Sequence, residues 1–278
     1  GLTFDLLVID EASQVRPVEA LGAVSRCEQM VVVGDKKQLP PTAFFDHLVD
    51  DDKDDDADFA VANYESLLDL CDAKSMPSTM LEWHYRSKHP DLIAVSNHSF
   101  YDSRLFLIPY SGMLEGLGLH FRFIEDGIYH RGNERTNPIE AGCVADAVIR
   151  HAEKYPQKSL GVGTFSVAQR DEILNQIELR RRKLPHLERF FARGDVEPFF
   201  VKNLETIQGD ERDTIFISIG YAKDKSGRMA MTFGPVSQEG GERRLNVLIT
   251  RAKERMEVFS SITAEDIDLA RVRQVGPR

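Results

Sequence analysis

The sequence has few cysteines and no long hydrophobic run. Its three cysteines, Cys27, Cys71 and Cys143, are far apart and odd in number, which disfavours both a disulfide framework and a zinc site. The apolar stretches are of strand length, well below the roughly 20 residues of a membrane-spanning helix. The first residues lack the charged start of a signal peptide. We therefore expect a soluble cytoplasmic protein without a membrane partner, and a chain that is part of a longer one.

The sequence also lacks an excess of positive charge. Its formal net charge is -10 over 278 residues. Residues 50–58 hold seven Asp and one Lys, which contribute -6 and leave -4 for the rest of the chain. A run of this kind is too polar to pack and predicts a solvated surface loop. Net charge therefore does not exclude a nucleic acid partner, which would have to be recognised by local patches.

The first strong pattern is an apolar run that ends in two acids. Leu6 to Ile9 are four consecutive apolar residues, which is typical of a strand in a parallel sheet with both faces covered. Asp10 and Glu11 follow at the carboxyl end of that strand, where open α/β sheets bind ligands. In a phosphate-cleaving site Asp10 would hold Mg²⁺ and Glu11 would orient or deprotonate water. Charged residues also end many strands, so this pattern alone is weak.

A second run repeats the design. Gln29 and the apolar residues 30–33 precede Gly34 and Asp35, and a polar loop follows that ends in two prolines. Gly34 would permit close approach of the backbone, while Asp35 and Gln38 could hydrogen-bond the water at a terminal phosphate. The sequence therefore predicts two neighbouring strands with polar groups at their carboxyl ends.

The rest of the chain alternates strand and helix patterns, which favours a second parallel sheet. Asn137, Pro138 and Glu140 are typical of a helix start, with a cap, a proline in the first turn and an acid after it. We predict domains at 1–78 and 79–268 and a tail at 269–278. The predicted strands are 79–85, 119–124, 160–165, 199–204, 214–219 and 256–259, and the predicted helices are 17–24, 64–71, 89–100, 137–152, 167–184 and 244–253.

Five motifs occur in a specific order. They are VIDEASQ, VVVGDKKQLPPT, LEWHYRSKHPDLIAVSNHSFY, TIQGDERDTIFIS and RRLNVLITRAK. In order and rough spacing they resemble the motifs of superfamily 1 helicases, and the chain is similar to the Upf-like branch of superfamily 1B over residues 4 to 260. The resemblance implies an α/β fold with RecA-like parallel sheets and flanking helices, as in P-loop NTPases, with a partial first domain. It implies ATP and Mg²⁺ as cofactors, single-stranded DNA or RNA as partner, and 5′ to 3′ movement.

The resemblance also assigns roles to two arginines. Arg86 and Arg251 match the family's arginine fingers, which reach from the second domain towards the γ-phosphate. Arginine suits this task because its planar fork matches phosphate oxygens and keeps its charge. Outside these motifs each would be interpreted as a surface ion-pair residue.

Further positions follow from the QGDER motif and its surroundings. By resemblance Gly209 shapes the turn, Glu211 hydrogen-bonds the ribose, Thr206 contacts the nucleic acid backbone and Tyr85 packs on the base. Tyr85 could equally be a half-buried strand aromatic. Relatives usually carry Arg or another polar residue where Asp210 stands, which leaves the local charge open.

Weaker candidates for nucleic acid contact have structural alternatives. A basic groove with aromatic platforms would suit a single strand. The basic run at 180–183 more often forms a solvated helix face. The other candidates, each more often structural, are Phe44, Phe45, His84, Arg243 and Arg244.

A phosphate-binding loop is absent from the sequence. No Gly-x-x-x-x-Gly-Lys-Ser/Thr string occurs, although the family needs that loop to hold the β- and γ-phosphates. We therefore expect a catalytically incomplete portion of an ATP-dependent helicase, missing the amino-terminal half of its motor. Two alternatives stay open: a nucleic-acid-binding or regulatory module without hydrolysis, and a translocase coupled to a nuclease-like domain without strand separation.

Overall fold

A computed structural model describes residues 1–41, 64–132, 134–192, 194, 197–268 and 270–271. The chain forms two compact units, Gly1–Leu81 and Glu82–Arg278. The first unit therefore ends at residue 81, whereas the sequence predicted a division after residue 78. The predicted acidic loop at 50–58, Phe44 and Phe45 lie outside the described residues, as does most of the predicted tail.

The first unit contains a two-stranded parallel sheet with helices after the strands. Leu6 pairs with Gln29 and the register continues to the ends of both strands. Ser66 caps the second helix, because its side chain accepts a hydrogen bond from the backbone N–H of Asp69. Both strands and both helices appear where the sequence predicted them, within three residues. Their bounds are β1 Phe4–Ile9, α1 Pro17–Val24, β2 Cys27–Val32 and α2 Leu67–Ala73.

The burial of β1 differs from the prediction. Alternate side chains of this strand, Phe4, Leu6 and Val8, are 53%, 51% and 58% exposed. The sequence predicted a strand with both faces covered. Within the described residues no helix or strand covers the face that these three side chains share, so the apolar run predicted the strand correctly and its burial wrongly.

The second unit contains seven strands among its described residues. They are β3 Trp83–His84, β4 Phe106–Leu107, β5 Gly118–Phe123, β6 Leu160–Thr164, β7 Phe200–Asn203, β8 Arg212–Ser218 and β9 Ala252–Ser260. β3 and β4 form a separate parallel pair, and the other five form a parallel sheet with the order β5-β9-β8-β6-β7. The helices are α3 Asp91–Phe100, α4 Pro138–Lys154, α5 Val167–Arg181, α6 Glu188–Phe191 and α7 Gly241–Ile249.

Helix α4 supplies much of the core of this unit. Its start is as predicted, since the Asn137 side chain accepts a hydrogen bond from the backbone N–H of Glu140 and Pro138 occupies the first turn. The predicted apolar face is buried against strands that are themselves buried along their whole length, such as β6. Burial of this stripe is the main source of stability for such a helix. The buried face comprises Ala141, Val144, Ala145, Val148, Ile149 and Ala152.

A buried carboxylate joins α4 to the carboxyl ends of two strands. Glu140 Oε1 accepts hydrogen bonds from Ser218 Oγ and the backbone N–H of Gly220, both at 2.7 Å, and Oε2 accepts one from Ser261 Oγ at 2.9 Å. Burial raises the pKa of Glu140 to about 7, and these hydrogen bonds oppose the shift. The network fixes the loops that leave β8 and β9.

Several predicted elements have different bounds in the structure; the strand predicted at 256–259, for example, begins at Ala252. The strand predicted at 79–85 is reduced to Trp83–His84. The helix predicted over 244–253 begins at Gly241 and ends at Ile249, because Ala252 already pairs with Arg212 in the sheet. Pairing with a distant strand overrides the local helical pattern at this point.

The sequence predicts neither disulfides nor a zinc site nor a membrane-spanning helix. All three cysteines are free. Among the residues that the structure covers, no helix is long and apolar enough to cross a membrane. The same part of the chain contains no cluster of three or more His, Cys, Asp or Glu side chains arranged to hold a metal ion.

Candidate nucleotide site

The two predicted acids lie exposed at the carboxyl end of β1. Asp10 Oδ1 accepts a hydrogen bond from the backbone N–H of Glu11 at 2.8 Å. Glu11 has a left-handed backbone, with φ of 52°, and its Oε2 accepts a hydrogen bond from Gln14 Nε2 at 2.9 Å. A non-glycine residue in this region is uncommon, and such strain is concentrated at functional sites. The turn directs two adjacent carboxylates into solvent.

The loop after β2 packs directly against this turn. The backbone N–H of Ala12 donates to the carbonyl of Val33 at 2.9 Å. A Cβ atom at Gly34 would lie 2.9 Å from the backbone nitrogen of Ser13 and 3.2 Å from that of Ala12. Because no side chain fits at Gly34, the two strand-end loops can approach each other closely.

The predicted polar groups of the second loop also contact each other. Asp35 Oδ2 accepts a hydrogen bond from Gln38 Nε2 at 3.0 Å, and Oδ1 accepts one from the backbone N–H of Lys37 at 2.8 Å. These contacts hold Gln38 over the loop that starts at Gly34. The first unit thus places the Asp10–Glu11 turn against the loop that carries Gly34, Asp35 and Gln38.

The donor set at these loops fits a hydrated magnesium ion. Mg²⁺ prefers oxygen ligands and usually takes one or two carboxylates, with waters and substrate phosphates completing its octahedron. Asp10 and Glu11 are exposed carboxylates of the kind that such an open site uses.

In the second unit the predicted finger Arg86 forms an ion pair with a predicted ligand. Its Nε donates to Glu211 Oε2 at 2.6 Å, and its Nη1 lies 3.4 Å from the carbonyl oxygen of Thr250. The side chains of Arg86 and Glu211 are 29% and 40% exposed. Arg86 and Glu211 are 125 residues apart in sequence, and Thr250 belongs to a third motif. The structure therefore brings three of the five motifs to one place.

A histidine fixes the turn that carries Arg86. His84 Nε2 accepts a hydrogen bond from the backbone N–H of Ser87 at 3.2 Å and lies 2.8 Å from Ser87 Oγ. Burial, and to a lesser extent the charge of Arg86, lowers the pKa of His84 to about 4, so the ring is neutral at pH 7. The sequence favoured a structural role for His84 over nucleic acid contact but did not indicate that its partner is Ser87. The spacing of three residues between His84 and Ser87 was the available signal.

The QGDER turn has the predicted form. Gly209 has φ of 83°, which favours glycine, and a Cβ atom there would meet no neighbour. Asp210, the residue that departs from the family pattern, pairs with Lys202 Nζ at 2.5 Å. That cation compensates its charge inside the same unit. Tyr85 is 80% exposed, so the alternative of a half-buried strand aromatic is wrong, while its predicted contact with a base stays a prediction.

Arg251 has a different environment from Arg86. It is 3% exposed, its Nε donates to the Val247 carbonyl at 2.8 Å, and its Nη2 donates to Thr250 Oγ1 at 3.0 Å. The predicted contact with a γ-phosphate stays a prediction and would require the guanidinium to leave these partners. The motif identified the residue, whereas its burial follows from the packing of α7.

The weaker nucleic acid candidates have structural partners. Arg244 is 3% exposed and donates from Nη1 to the carbonyl of Glu239. The Thr206 hydroxyl donates to Asn203 Oδ1 at 2.6 Å. In the basic run three arginines pair with acids, as expected of a solvated helix face. The pairs are Arg180 with Asp146, Arg181 with Glu188 and Arg182 with Glu178.

Comparisons with known proteins identify the family. Two family models, both described as "AAA domain", match residues 1–45 and 122–263, the second covering about half of the chain. An uncharacterized ATP-dependent helicase of Mycoplasma genitalium, MG140, is 38% identical over 95% of this chain and 24% of its own length. The chain belongs to the superfamily 1 Upf-like helicases. The predicted family is therefore confirmed, and with it the predicted fold of parallel sheets with flanking helices.

More distant helicases are similar over the same length. Probable helicase senataxin of Mus musculus is 26% identical over 94% of this chain and 10% of its own length. A solved structure, the PRRSV helicase, has a TM-score of 0.41 and 14% identity and covers 94% of this chain and 36% of that one. The chain spans about a quarter of the length of the Mycoplasma relatives.

Proposed function

We propose that this Upf-like helicase chain is part of an ATP-driven motor that moves along or unwinds single-stranded nucleic acid. The observation that carries the proposal is the packing of the Asp10–Glu11 turn against the Gly34 loop at the carboxyl ends of two parallel strands. Polar groups at such strand ends are where α/β sheets bind nucleotides. The names of its relatives, which are ATP-dependent helicases, support this reaction class.

The residues of the first unit would act on the attacking water and the metal. Asp10 would hold Mg²⁺ through a water molecule, and the bound metal would neutralise charge on the β- and γ-phosphates. Glu11 would accept a proton from the attacking water or orient it. Gln38, held by Asp35, would donate a hydrogen bond to the same water. Gly34, which has no side chain, would let the backbone of its loop approach the nucleotide closely.

The residues of the second unit would supply positive charge and nucleotide contacts. Arg86 and Arg251 would stabilise charge on the γ-phosphoryl oxygens, because a guanidinium is permanently protonated and its fork matches phosphate. Glu211 would accept hydrogen bonds from the ribose hydroxyls after the Gly209 turn. Tyr85, exposed beside Arg86, would stack on the base.

Replacing Glu11 with Gln tests the central assignment. In a polypeptide that also contains a GxxxxGKT-type loop, Glu11→Gln should lower ATP turnover by about 10²–10⁴-fold, the typical contribution of a general base. ATP binding should persist, because the amide keeps the size and one oxygen of the carboxylate. Glu28→Gln, at an exposed acid of β2, is the matched control and should leave turnover unchanged. Unchanged turnover in Glu11→Gln would remove Glu11 from this role.

The chain tested by itself addresses the expectation that it is incomplete. It contains no string of the phosphate-loop type, so we expect no ATP turnover in the presence of single-stranded DNA or RNA. Helicase-like turnover by this chain would refute that expectation. Tight nucleic acid binding in a protein that carries the phosphate loop, but without any turnover, would favour the alternative of a non-hydrolysing module.

A further inference from the structure

The contact between Arg86 and Glu211 is not explained by the roles proposed for each residue separately. One is expected at the γ-phosphate and the other at the ribose, yet the two side chains meet at 2.6 Å. We propose that Glu211 is a positioning residue that holds the Arg86 guanidinium in the orientation needed for phosphate contact. This inference rests on the proposed function of Arg86.

The atoms used in the contact leave the far end of the guanidinium available. Glu211 Oε2 takes the single Nε–H of Arg86, and the Thr250 carbonyl lies at a long 3.4 Å from Nη1. No hydrogen bond to Nη2 is present among the described residues. An acceptor at Nε fixes the plane and direction of the group, while the two Nη atoms keep donors for a bidentate phosphate contact. A carboxylate that only neutralised Arg86 would be expected to bind both Nη atoms instead.

Glu211 is itself held firmly. Its backbone carbonyl accepts a hydrogen bond from Arg212 Nη1 at 2.6 Å, and Arg212 is anchored by two further hydrogen bonds to the Pro198 carbonyl at 2.9 and 2.6 Å. Arg212 is 5% exposed. The second carboxylate oxygen of Glu211 lies 4.0 Å from Lys253 Nζ. The carboxylate therefore sits on a rigid strand start and faces cations on both sides.

The backbone that carries Arg86 is fixed at both ends. His84 caps the turn through Ser87 on one side. On the other side the backbone N–H of Lys88 donates to the carbonyl of Lys253 at 2.8 Å. The remaining freedom lies in the side chain of Arg86, which has four rotatable bonds. Holding such a side chain in place removes an entropic cost from the reaction, and partly exposed ion pairs add little to folding stability.

A double-mutant cycle measures the coupling between the two side chains. The variants are Arg86→Ala, Glu211→Ala and the pair together, in a protein that carries the phosphate loop, with kcat and KM for ATP as readouts. Arg86→Ala should lower kcat by about 10³-fold or more, as for other arginine fingers. Glu211→Ala should lower kcat by about 10²-fold through misplacement of the guanidinium. If Glu211 acts through Arg86, the double variant should be no slower than Arg86→Ala.

The opposite results separate the two proposals. If the two losses multiply in the double variant, the positioning role is overturned, while the role of Arg86 stands. If Arg86→Ala turns over ATP normally, the proposed function of Arg86 has failed first. The matched control is Glu82→Ala, because Glu82 forms a similar exposed ion pair with Arg104 at 2.8 Å in the same unit and should leave kcat unchanged.

The ribose role of Glu211 is distinguished by the substrate. A lost hydroxyl contact would raise KM for ATP and spare 2′,3′-dideoxy-ATP, which lacks both hydroxyls, whereas a misplaced arginine would lower kcat equally for both. Equal loss supports positioning, and a loss confined to KM for ATP contradicts it. Glu211→Gln keeps an acceptor for Arg86 Nε and should recover part of kcat. Thermal unfolding of each variant establishes that it is folded, and Glu211→Gln carries the cycle if Glu211→Ala is not.

Discussion

Strands β1 (FDLLVI) and β6 (LGVGT) both contain apolar residues but reach different environments. Each carries a short apolar run in a parallel pair. β6 is buried at all five positions, whereas β1 has no fully buried residue and its alternate side chains Phe4, Leu6 and Val8 are about half exposed. The difference arises from the neighbours: β6 lies between β7 and β8 beneath helices of its own unit, while β1 has one strand partner among the described residues.

The comparison shows what an apolar run does and does not predict. It predicts a strand, because β-branched and large apolar residues suit the pleated conformation. It does not predict which elements cover the strand, since these come from distant sequence. A two-stranded sheet is also marginal in water without further packing. We therefore expect the two units to differ strongly in stability.

Amide hydrogen exchange gives the largest expected difference. Amides of β6 and β8 should open only with the core of the second unit, whereas those of β1 and β2 should open by local fluctuations. We expect exchange in β6 to be slower than in β1 by more than about 10³-fold after correction for intrinsic rates. Mass spectrometry of peptides from each strand measures this. Similar protection in both strands would break the comparison.

A pair of leucine truncations should show the same contrast in free energy. Leu160→Ala removes a side chain with no exposed surface in β6, and we expect a loss of about 2–5 kcal/mol of unfolding free energy. Leu6→Ala removes a side chain that is 51% exposed in β1, with an expected loss below about 1 kcal/mol. Urea unfolding monitored by circular dichroism tests both. Equal losses would show that β1 is covered after all.

The buried Glu140 sharpens the contrast between the acids of the two units. Glu140→Ala leaves the N–H of Gly220 and two serine hydroxyls without their acceptor, so we expect the second unit to lose about 2–4 kcal/mol. Glu28→Ala, at an exposed acid in β2, should leave unfolding unchanged. Thermal unfolding of the two variants measures the difference. A stable Glu140→Ala protein would show that the network is dispensable.

The smallest effect concerns pH. His84 has a folded pKa of about 4 against 6.5 when unfolded, so the unfolded chain binds the extra proton between these values and stability falls as pH drops. Glu140 has a folded pKa of about 7 against 4.5, so the folded chain binds the proton and stability falls as pH rises. The two contributions oppose each other. His84→Gln should therefore gain, relative to wild type, on the order of 1–2 kcal/mol between pH 7 and 5.

Urea unfolding of wild type and His84→Gln at several pH values tests this assignment. The difference between the two proteins should grow steadily as pH falls from 6.5. Parallel stability curves would mean that His84 does not keep a neutral ring in the folded state, and the cap on Ser87 would then need another explanation.

Several elements were predictable because their signals are local. The start of α4 follows from Asn137 and Pro138, since a cap and a proline act within one turn. β5 lies at the edge of its sheet. Its sequence alternates apolar and polar side chains, which is typical of a partly exposed strand. The end of α7 was not predictable, because Ala252 enters the sheet through its pairing with Arg212, 40 residues earlier. The ion pair of Arg86 was likewise hidden, since its partner is 125 residues away.

The sequence by itself determined the family, the order of the motifs, the acids at the end of β1 and the helices that carry their own caps. These depend on residue type and short spacing, which act before the chain folds. Tertiary structure alone decided that Phe4, Leu6 and Val8 stay exposed, that Arg251 is buried and that Glu211 meets Arg86. The physical reason is that burial and ion pairing depend on which distant segments come together, and no local pattern records that.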